Sequence, residues 1–352
     1  DMTTRIDMQS IDAPKMNLSS ELSKLDSAPN PTETSWKVDF NQVLSKLTDT
    51  DTIETKLTLG ASTLPVQSFF GSNFDASMNL NDYGTPYLEA DEGGIGLGAI
   101  YQLEGARIMI GFTGPIQQGD GNVIGSRKSF TASVESGSPT ATTMTLMSGF
   151  TRDEGSLLGS TGIDAYGLTG AKSDTSFSAL KMQSQLAGNL FLTGVATLAN
   201  TNMTKPTNSF VNSASNVKSV SARLGISKRN LLGNDSVSFV VDQPNRVSSG
   251  SMSVNLSNLA ENDGTLTYDN KDIDLAPSAR QLNYSLTYQK EFNKNARAVF
   301  RHMVTKNLNH SQNAKAMSSS LIGMKFNHVT AGLSEDFENG QTSAKISYAN
   351  KF

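Results

Sequence analysis

Three histidines are the first place to look for chemistry, because histidine is the side chain that changes charge near neutral pH. They stand at His302, His310 and His328. That spacing, in strand-like sequence, is too wide for a tight metal site, and the chain has no cysteine to complete one. A subtilisin-type centre needs Asp, His and Ser in that order, with the serine in a Gly-Thr-Ser setting, and no such series is found. The run Gly93-Gly94-Ile95-Gly96-Leu97-Gly98 is as glycine-dense as a phosphate loop. It lacks the Lys-Ser/Thr ending and the βαβ unit that such a loop serves. Glu261-Asn262-Asp263-Gly264 is one acidic turn rather than a calcium-binding repeat. The expectation is a protein that is not an enzyme, with no catalytic residue, no cofactor and no metal.

Two arginines offer a different chemistry. Arg246 and Arg280 sit beside strand-like runs whose alternate positions are polar. In a narrow polar lumen an arginine holds a facing carboxylate through two parallel hydrogen bonds. Asp82, Glu89, Asp174 and Asp242 are the candidate partners, and the other reading puts both arginines in loops facing water.

The elements that would position these residues alternate with period two. Leu282, Tyr284, Leu286 and Tyr288 oppose Asn283, Ser285, Thr287 and Gln289. The same pattern runs through 142–150, 251–256 and 344–352, and more weakly through 97–103, 106–112, 190–198, 236–242, 296–303 and 319–326. About ten to fourteen strands fit, each near the length of a tilted membrane-spanning strand. The polar face is mostly Ser, Thr, Asn and Gly, while Tyr and Phe lie near strand ends on the apolar face, as in an interfacial girdle. Connections are unequal: Asn293-Lys294-Asn295 is short, whereas 199–216 and 257–279 are long, like periplasmic turns against extracellular loops. Residues 1–35 hold three of the ten prolines and read as a linker. Val38, Phe40, Val43, Leu44 and Leu47 suggest a helix within 36–58, either inside a pore or on the surface of an ordinary domain.

Composition agrees without deciding. Hydrophobic residues make up 37% and charged residues 18% of 352, which suits a barrel apolar outside and polar inside, and suits a secreted β-rich protein equally. A net charge of −4 with no basic block argues against nucleic acid. The absence of cysteine fits export through an oxidising compartment. No run of about 18 apolar residues forms a spanning helix, so a membrane-spanning chain would have to cross as strands. Asp1-Met2-Thr3 reads as the start of a processed product. The chain closes on Phe352, in register with Tyr348 and Ile346, although Asn350 breaks the pattern. A terminal aromatic of this kind is an assembly signal in outer-membrane barrels.

Several stretches in order along the chain carry a family resemblance. Leu64-Pro65 through Phe70-Gly71 is similar to a Leu-Pro…Phe-Gly entry segment. Asn81-Asp82-Tyr83-Gly84-Thr85-Pro86-Tyr87 is similar to Asp-x-Tyr-Gly-Arg-x-Phe, with Thr85 in place of the arginine. Gly155-Ser156-Leu157-Leu158-Gly159 precedes Asp174-Thr175-Ser176-Phe177. Gln243-Pro244-Asn245-Arg246-Val247-Ser248-Ser249-Gly250 and Leu275-Ala276-Pro277-Ser278-Ala279-Arg280-Gln281-Leu282 are the most specific pair. Together they resemble the translocator domain of subtilisin-like serine protease autotransporters. The resemblance implies a transmembrane antiparallel β-barrel of about 12 strands in the bacterial outer membrane. It implies 1–82 as linker and lumen helix, 83–352 as barrel, and Asp82, Tyr83, Gly84, Arg246 and Arg280 as lumen or motif residues. Outer-membrane lipid, the barrel-assembly machinery and a passenger domain, linked or cleaved, would be the partners. A porin or channel barrel and a secreted adhesive or matrix β-protein are the alternatives. The stretch 329–352 runs about one hairpin past the expected end.

Overall fold

The computed structural model describes residues 35–45, 52–62, 94–103, 105–115, 126–137, 141–154, 172–204, 211–257, 268–327, 329–336 and 341–348. They form one antiparallel sheet of sixteen strands. The strands are β1 (Ser35–Ser45), β2 (Thr52–Ser62), β3 (Gly94–Leu103), β4 (Ala106–Pro115), β5 (Ser126–Gly137), β6 (Thr142–Glu154), β7 (Lys172–Ala187) and β8 (Leu190–Thr204). They continue as β9 (Val211–Arg229), β10 (Asp235–Ser257), β11 (Tyr268–Asp274), β12 (Leu282–Asn293), β13 (Ala296–Lys306), β14 (Met317–Phe326), β15 (Val329–Asp336) and β16 (Gln341–Tyr348). Each strand pairs with its neighbours in sequence, except that β10 pairs with both β11 and β12. Among the described residues the one helical element is a 3-10 turn at Leu308–His310.

Two expectations are corrected. Among the described residues the strand count is sixteen rather than about twelve. The helix expected within 36–58 is a hairpin, with Ser35 paired to Ser62 and Ser45 to Thr52. Trp36, Val38 and Phe40 already alternate with polar residues, as do Ile53, Leu57 and Leu59. Aromatic and β-branched residues in that spacing fit a pleated sheet better than a helix. Among the described residues the sheet starts at β1, upstream of residue 83.

The distribution of polarity across the sheet is inverted. On β5 the polar residues Ser129, Thr131, Ser133 and Glu135 are buried, while Phe130 and Val134 are each 49% exposed. On β6, Thr143, Thr145 and Thr151 are buried while Met144, Leu146 and Phe150 face outward, Leu146 at 60% exposure. A sheet in water puts its apolar face on the core; this one buries its polar face and exposes its apolar one. The exposed residues are contiguous through the register. Phe112 pairs with Phe130 and Phe130 with Phe150; Ile226 pairs with Phe239, and Phe239 with Leu286.

This outer belt climbs across the sheet. The hydrogen-bonded row that starts at Thr142 passes through Ser184, Leu192, Ile226, Phe239, Leu286, His302 and Ser320 to Glu335. Thr142 opens β6 beside a short turn, whereas Glu335 lies one residue from the opposite end of β15. The belt thus shifts against the rows by close to one residue per strand. With a rise of about 3.3 Å per residue and about 4.8 Å between strands, that stagger corresponds to a strand tilt of roughly 30–35°.

Connector length segregates by edge. One edge holds 46–51, 104–105, 138–141, 188–189, 230–234, 294–295 and 327–328. The other holds 63–93, 116–125, 155–171, 205–210, 258–281 (which contains β11) and 307–316, with 337–340 as its one short member. The long connection expected over 199–216 shrinks to 205–210, because β8 and β9 reach further than their alternation suggests.

Beyond the belt on the long-connector side, the polarity reverts to that of a protein in water. The face of β9 that carries Ser219, Ser221 and Ser227 carries buried Val217 and Val211 further out, and Lys218 and Asn216 opposite are exposed. Met203, Val211, Ala214, Val217 and Val254 form a small core there, flanked by Val247, Met252, Ile273 and Leu275.

Candidate functional site

The inner face is mostly short hydroxyls, several of which hydrogen-bond one another. Ser129, Thr151, Thr175 and Thr201 lie in one row across β5 to β8. Ser129 Oγ is 3.0 Å from Thr151 Oγ1, and Thr175 Oγ1 is 2.7 Å from Thr201 Oγ1. Pairing of this kind removes the penalty of burying a hydroxyl. Two ion pairs also lie on this face. Arg107 donates to Glu135 at 3.1 Å, and Thr145 donates to the same carboxylate at 3.3 Å. Arg223 Nε donates to Asp242 at 2.9 Å, and Asn283 donates to its other oxygen at 3.1 Å. An apolar patch, Met147, Phe177, Ala179, Val195 and Ala199, interrupts the polar lining on β6 to β8. Gly149 makes room for it, since a Cβ there would lie 2.4 Å from the Phe177 ring.

Where β10 leaves the belt, it forks. Its first part, Asp235–Asp242, pairs with β12, and Ser251–Ser257 pairs with β11. Bulges between Gln243 and Arg246, and again through Ser249 and Ser251, break the ladder with β9. Pro244, which has no N–H to donate, lies within the first. Gly250 adopts φ +147°, and a Cβ there would lie 2.7 Å from Val217 Cα, so the strand turns outward at a position only glycine fills without strain.

A hydrogen-bonded clamp closes the fork. Arg246 Nε donates to the Ala279 carbonyl and Nη2 to the Pro277 carbonyl, each at 2.9 Å. His310 Nδ1 accepts the Gln281 N–H at 2.9 Å, and its Nε2–H donates to the Asn245 carbonyl at 3.1 Å. Both ring nitrogens are thus used by the neutral form. Burial, aided by the Arg246 charge, holds His310 below its ordinary value, against the Asn245 carbonyl, which favours protonation. Gln281 accepts the Asn309 N–H at 2.8 Å and donates to Asn283 at 3.0 Å. Asn283 links the clamp to the Asp242–Arg223 pair on the inner face. Asn307, Asn309 and His310 all have positive φ, a conformation that asparagine tolerates and that the surroundings impose on His310.

The two most specific sequence motifs are therefore in direct contact, through a geometry the sequence did not reveal. Arg246 is half-buried and binds main-chain carbonyls, not a carboxylate; Arg280 is exposed, and its carbonyl accepts from Asn307 at 3.0 Å. Of the candidate acid partners, Asp242 is held by Arg223, and Asp174 faces outward, paired with Arg152 at 2.6 Å. Asp82, Tyr83, Gly84, Glu89, His328 and Phe352 lie outside the described residues. Ile346 is exposed on the apolar face, and Tyr348 ends β16. Alternation missed His310, which acts through a loop. Among the described residues no group of three His, Cys, Asp or Glu could hold a metal.

No family model matches the chain, and no curated protein does. Among solved structures, CdiB from Acinetobacter baumannii is similar, with a TM-score of 0.43 and 10% identity. The match covers 89% of this chain and 59% of that one, so the chain spans well under two thirds of its length. At that level the likeness is too slight to bear on function.

Proposed function

We propose that the sheet closes into an outer-membrane β-barrel that acts as translocator and anchor for a passenger polypeptide. The observation that carries the membrane part is the inverted polarity: a contiguous exposed apolar belt backed by a buried polar face is stable in lipid and costly in water. Three further features support it. The stagger, at roughly 30–35°, approaches the lower end of the about 35–45° tilt of barrel strands. Turns are short on one edge and connectors long on the other, as in periplasmic and extracellular sides. The aromatic row Phe112, Phe130 and Phe150 borders the charged pair Arg152 and Asp174, as an interfacial girdle would. On this reading the β9–β10–β11 extension stands in water outside the membrane, with its border near Lys218 and Gly250. The lipid bilayer and the barrel-assembly machinery are its partners.

The translocator role rests on the autotransporter-like motifs. A reporter peptide fused ahead of Asp1 should become protease-accessible on intact cells. Heat-modifiable migration on gels and resistance to carbonate extraction would report the barrel separately. An inserted barrel whose reporter stays periplasmic removes the translocator role and leaves the barrel; a chain that is soluble without detergent removes both.

A further inference from the structure

The outer face ends unusually at one point of the short-connector edge. The turns Gly188-Asn189 and Lys294-Asn295 on that edge carry no apolar side chain. The turn between β9 and β10, Asn230-Leu231-Leu232-Gly233-Asn234, presents two leucines, 53% and 73% exposed. Hydrogen bonds fix its shape. The Asn230 N–H donates to the Asp235 carbonyl at 2.7 Å, and the Asp235 N–H donates to the Gly233 carbonyl at 2.9 Å. The Glu291 N–H donates to the Asn234 carbonyl at 2.8 Å, and Lys290 Nζ donates to the Leu232 carbonyl at 2.7 Å. Asn230 and Gly233 adopt positive φ, which these two residue types accept at low cost.

Asp235 shows which way this turn leans. It opens β10 on the outer face, since it shares parity with Phe239, and its register partner Lys290 shares parity with Leu286. Phe239 is 43% exposed and Leu286 42%, yet Asp235 is 6% exposed. The turn covers it. Its Oδ1 accepts the Leu232 N–H at 2.9 Å, and its Oδ2 accepts the Tyr288 hydroxyl at 3.1 Å. Leu232 is thus tied through both its N–H and its carbonyl to side chains of the outer face. The turn therefore folds toward the apolar belt and not over the inner face. Val237 and Tyr288, register partners, carry the belt from Phe239 and Leu286 up to the turn. Phe292, two residues past Lys290 and 60% exposed, stands on the same side.

We infer that the β9–β10 turn is an anchor in the lipid leaflet on the short-connector side, with Leu231 and Leu232 set among phospholipid acyl chains. Two leucines held out in a fixed shape and continuous with a lipid-facing belt are an apolar surface that the same lipid covers. Polar groups that enter lipid must bring their partners with them; the bonded carbonyls of Leu232, Gly233 and Asn234 and both oxygens of Asp235 do so. The inference rests on the barrel reading. Its test uses the absence of cysteine from the chain. Leu232→Cys, Leu231→Cys, Asn189→Cys and Leu146→Cys are each labelled with a nitrobenzoxadiazole fluorophore in the full chain, reconstituted in phosphatidylcholine vesicles. Heat-modifiable migration shows that each variant has folded. Labels at 231, 232 and the belt position 146 should lose emission to phosphatidylcholine carrying a nitroxide on its acyl chain and resist aqueous iodide. The label at 189 should show the reverse. Lipid quenching at 146 with iodide quenching at 231 and 232 overturns the anchor and leaves the barrel standing. Labels at 231 and 232 that neither quencher reaches are covered by protein, such as a second copy of the chain, and this also overturns the anchor. A label at 146 that lipid does not quench overturns both.

Discussion

The clamp turns on two side chains. Arg246→Ala removes two charge-assisted hydrogen bonds to the Pro277 and Ala279 carbonyls, each worth about 1.5–3 kcal/mol before relaxation. We expect a lower unfolding midpoint in detergent and faster tryptic cleavage at exposed Arg280. Arg246→Lys should restore little of this, because one ammonium cannot span two carbonyls in a fork. Cleavage unchanged from wild type would rule the clamp out. His310 has a depressed folded-state value against its ordinary 6.5, so the unfolded loop binds the proton first. Its contribution is complete above about 6.5 and is lost as pH falls through the folded value. Amide protection over 307–314, corrected for intrinsic exchange, should fall with acidification while the β7–β8 ladder stays constant, and His310→Gln should flatten the response. The sequence marks Arg246 as noteworthy, since it lies in a patterned motif. It cannot show that the partner is main chain, because carbonyls leave no trace in residue identity. His310 is invisible for the same reason, as both its partners are backbone groups.

At the scale of the element, β10 is the instructive case. Alternation over 236–242 and over 251–256 reads as two strands, and the chain makes one of 23 residues. The stretch between contains Pro244 and Gly250, ordinarily strand breakers; here they sit at bulges and at an outward turn. Gly250→Ala should cost about 1–3 kcal/mol through strain and the approach to Val217, and it should loosen β11 while β12 stays paired. Amide exchange on β11 against β12 separates the two, and equal protection in mutant and wild type would show the glycine to be dispensable. β7 eluded period-two reading because its inner face mixes Phe177 and Ala179 with Lys181 and Gln183, while its outer face carries Ser176 and Ser178. The hairpin of β1 and β2 was hidden in the other direction, since its apolar residues also fit a helical spacing.

For the whole molecule, the alternation in the sequence shows that two faces differ but not which one is buried; that depends on the solvent the sheet meets. Substitutions can report it. Leu146→Arg, on the exposed belt, should cost about 2–4 kcal/mol in lipid near the middle of the bilayer and reduce insertion. In a water-soluble sheet the same change at an exposed position would be close to neutral. Flotation of mutant and wild type with vesicles compares them, and equal flotation would count against a lipid-facing belt. The unequal edges have a consequence for how such a sheet comes into being. A hairpin that enters a bilayer from one side carries its far connector across the hydrocarbon, and the polar groups of that connector shed their water on the way. The two-residue turns stay behind on the side of entry. The connectors 63–93, 155–171 and 258–281 do not, so the kinetic barrier to insertion is concentrated in those three crossings. Shortening any one of them should speed spontaneous folding into pure lipid vesicles, whereas lengthening 188–189 should leave the rate unchanged.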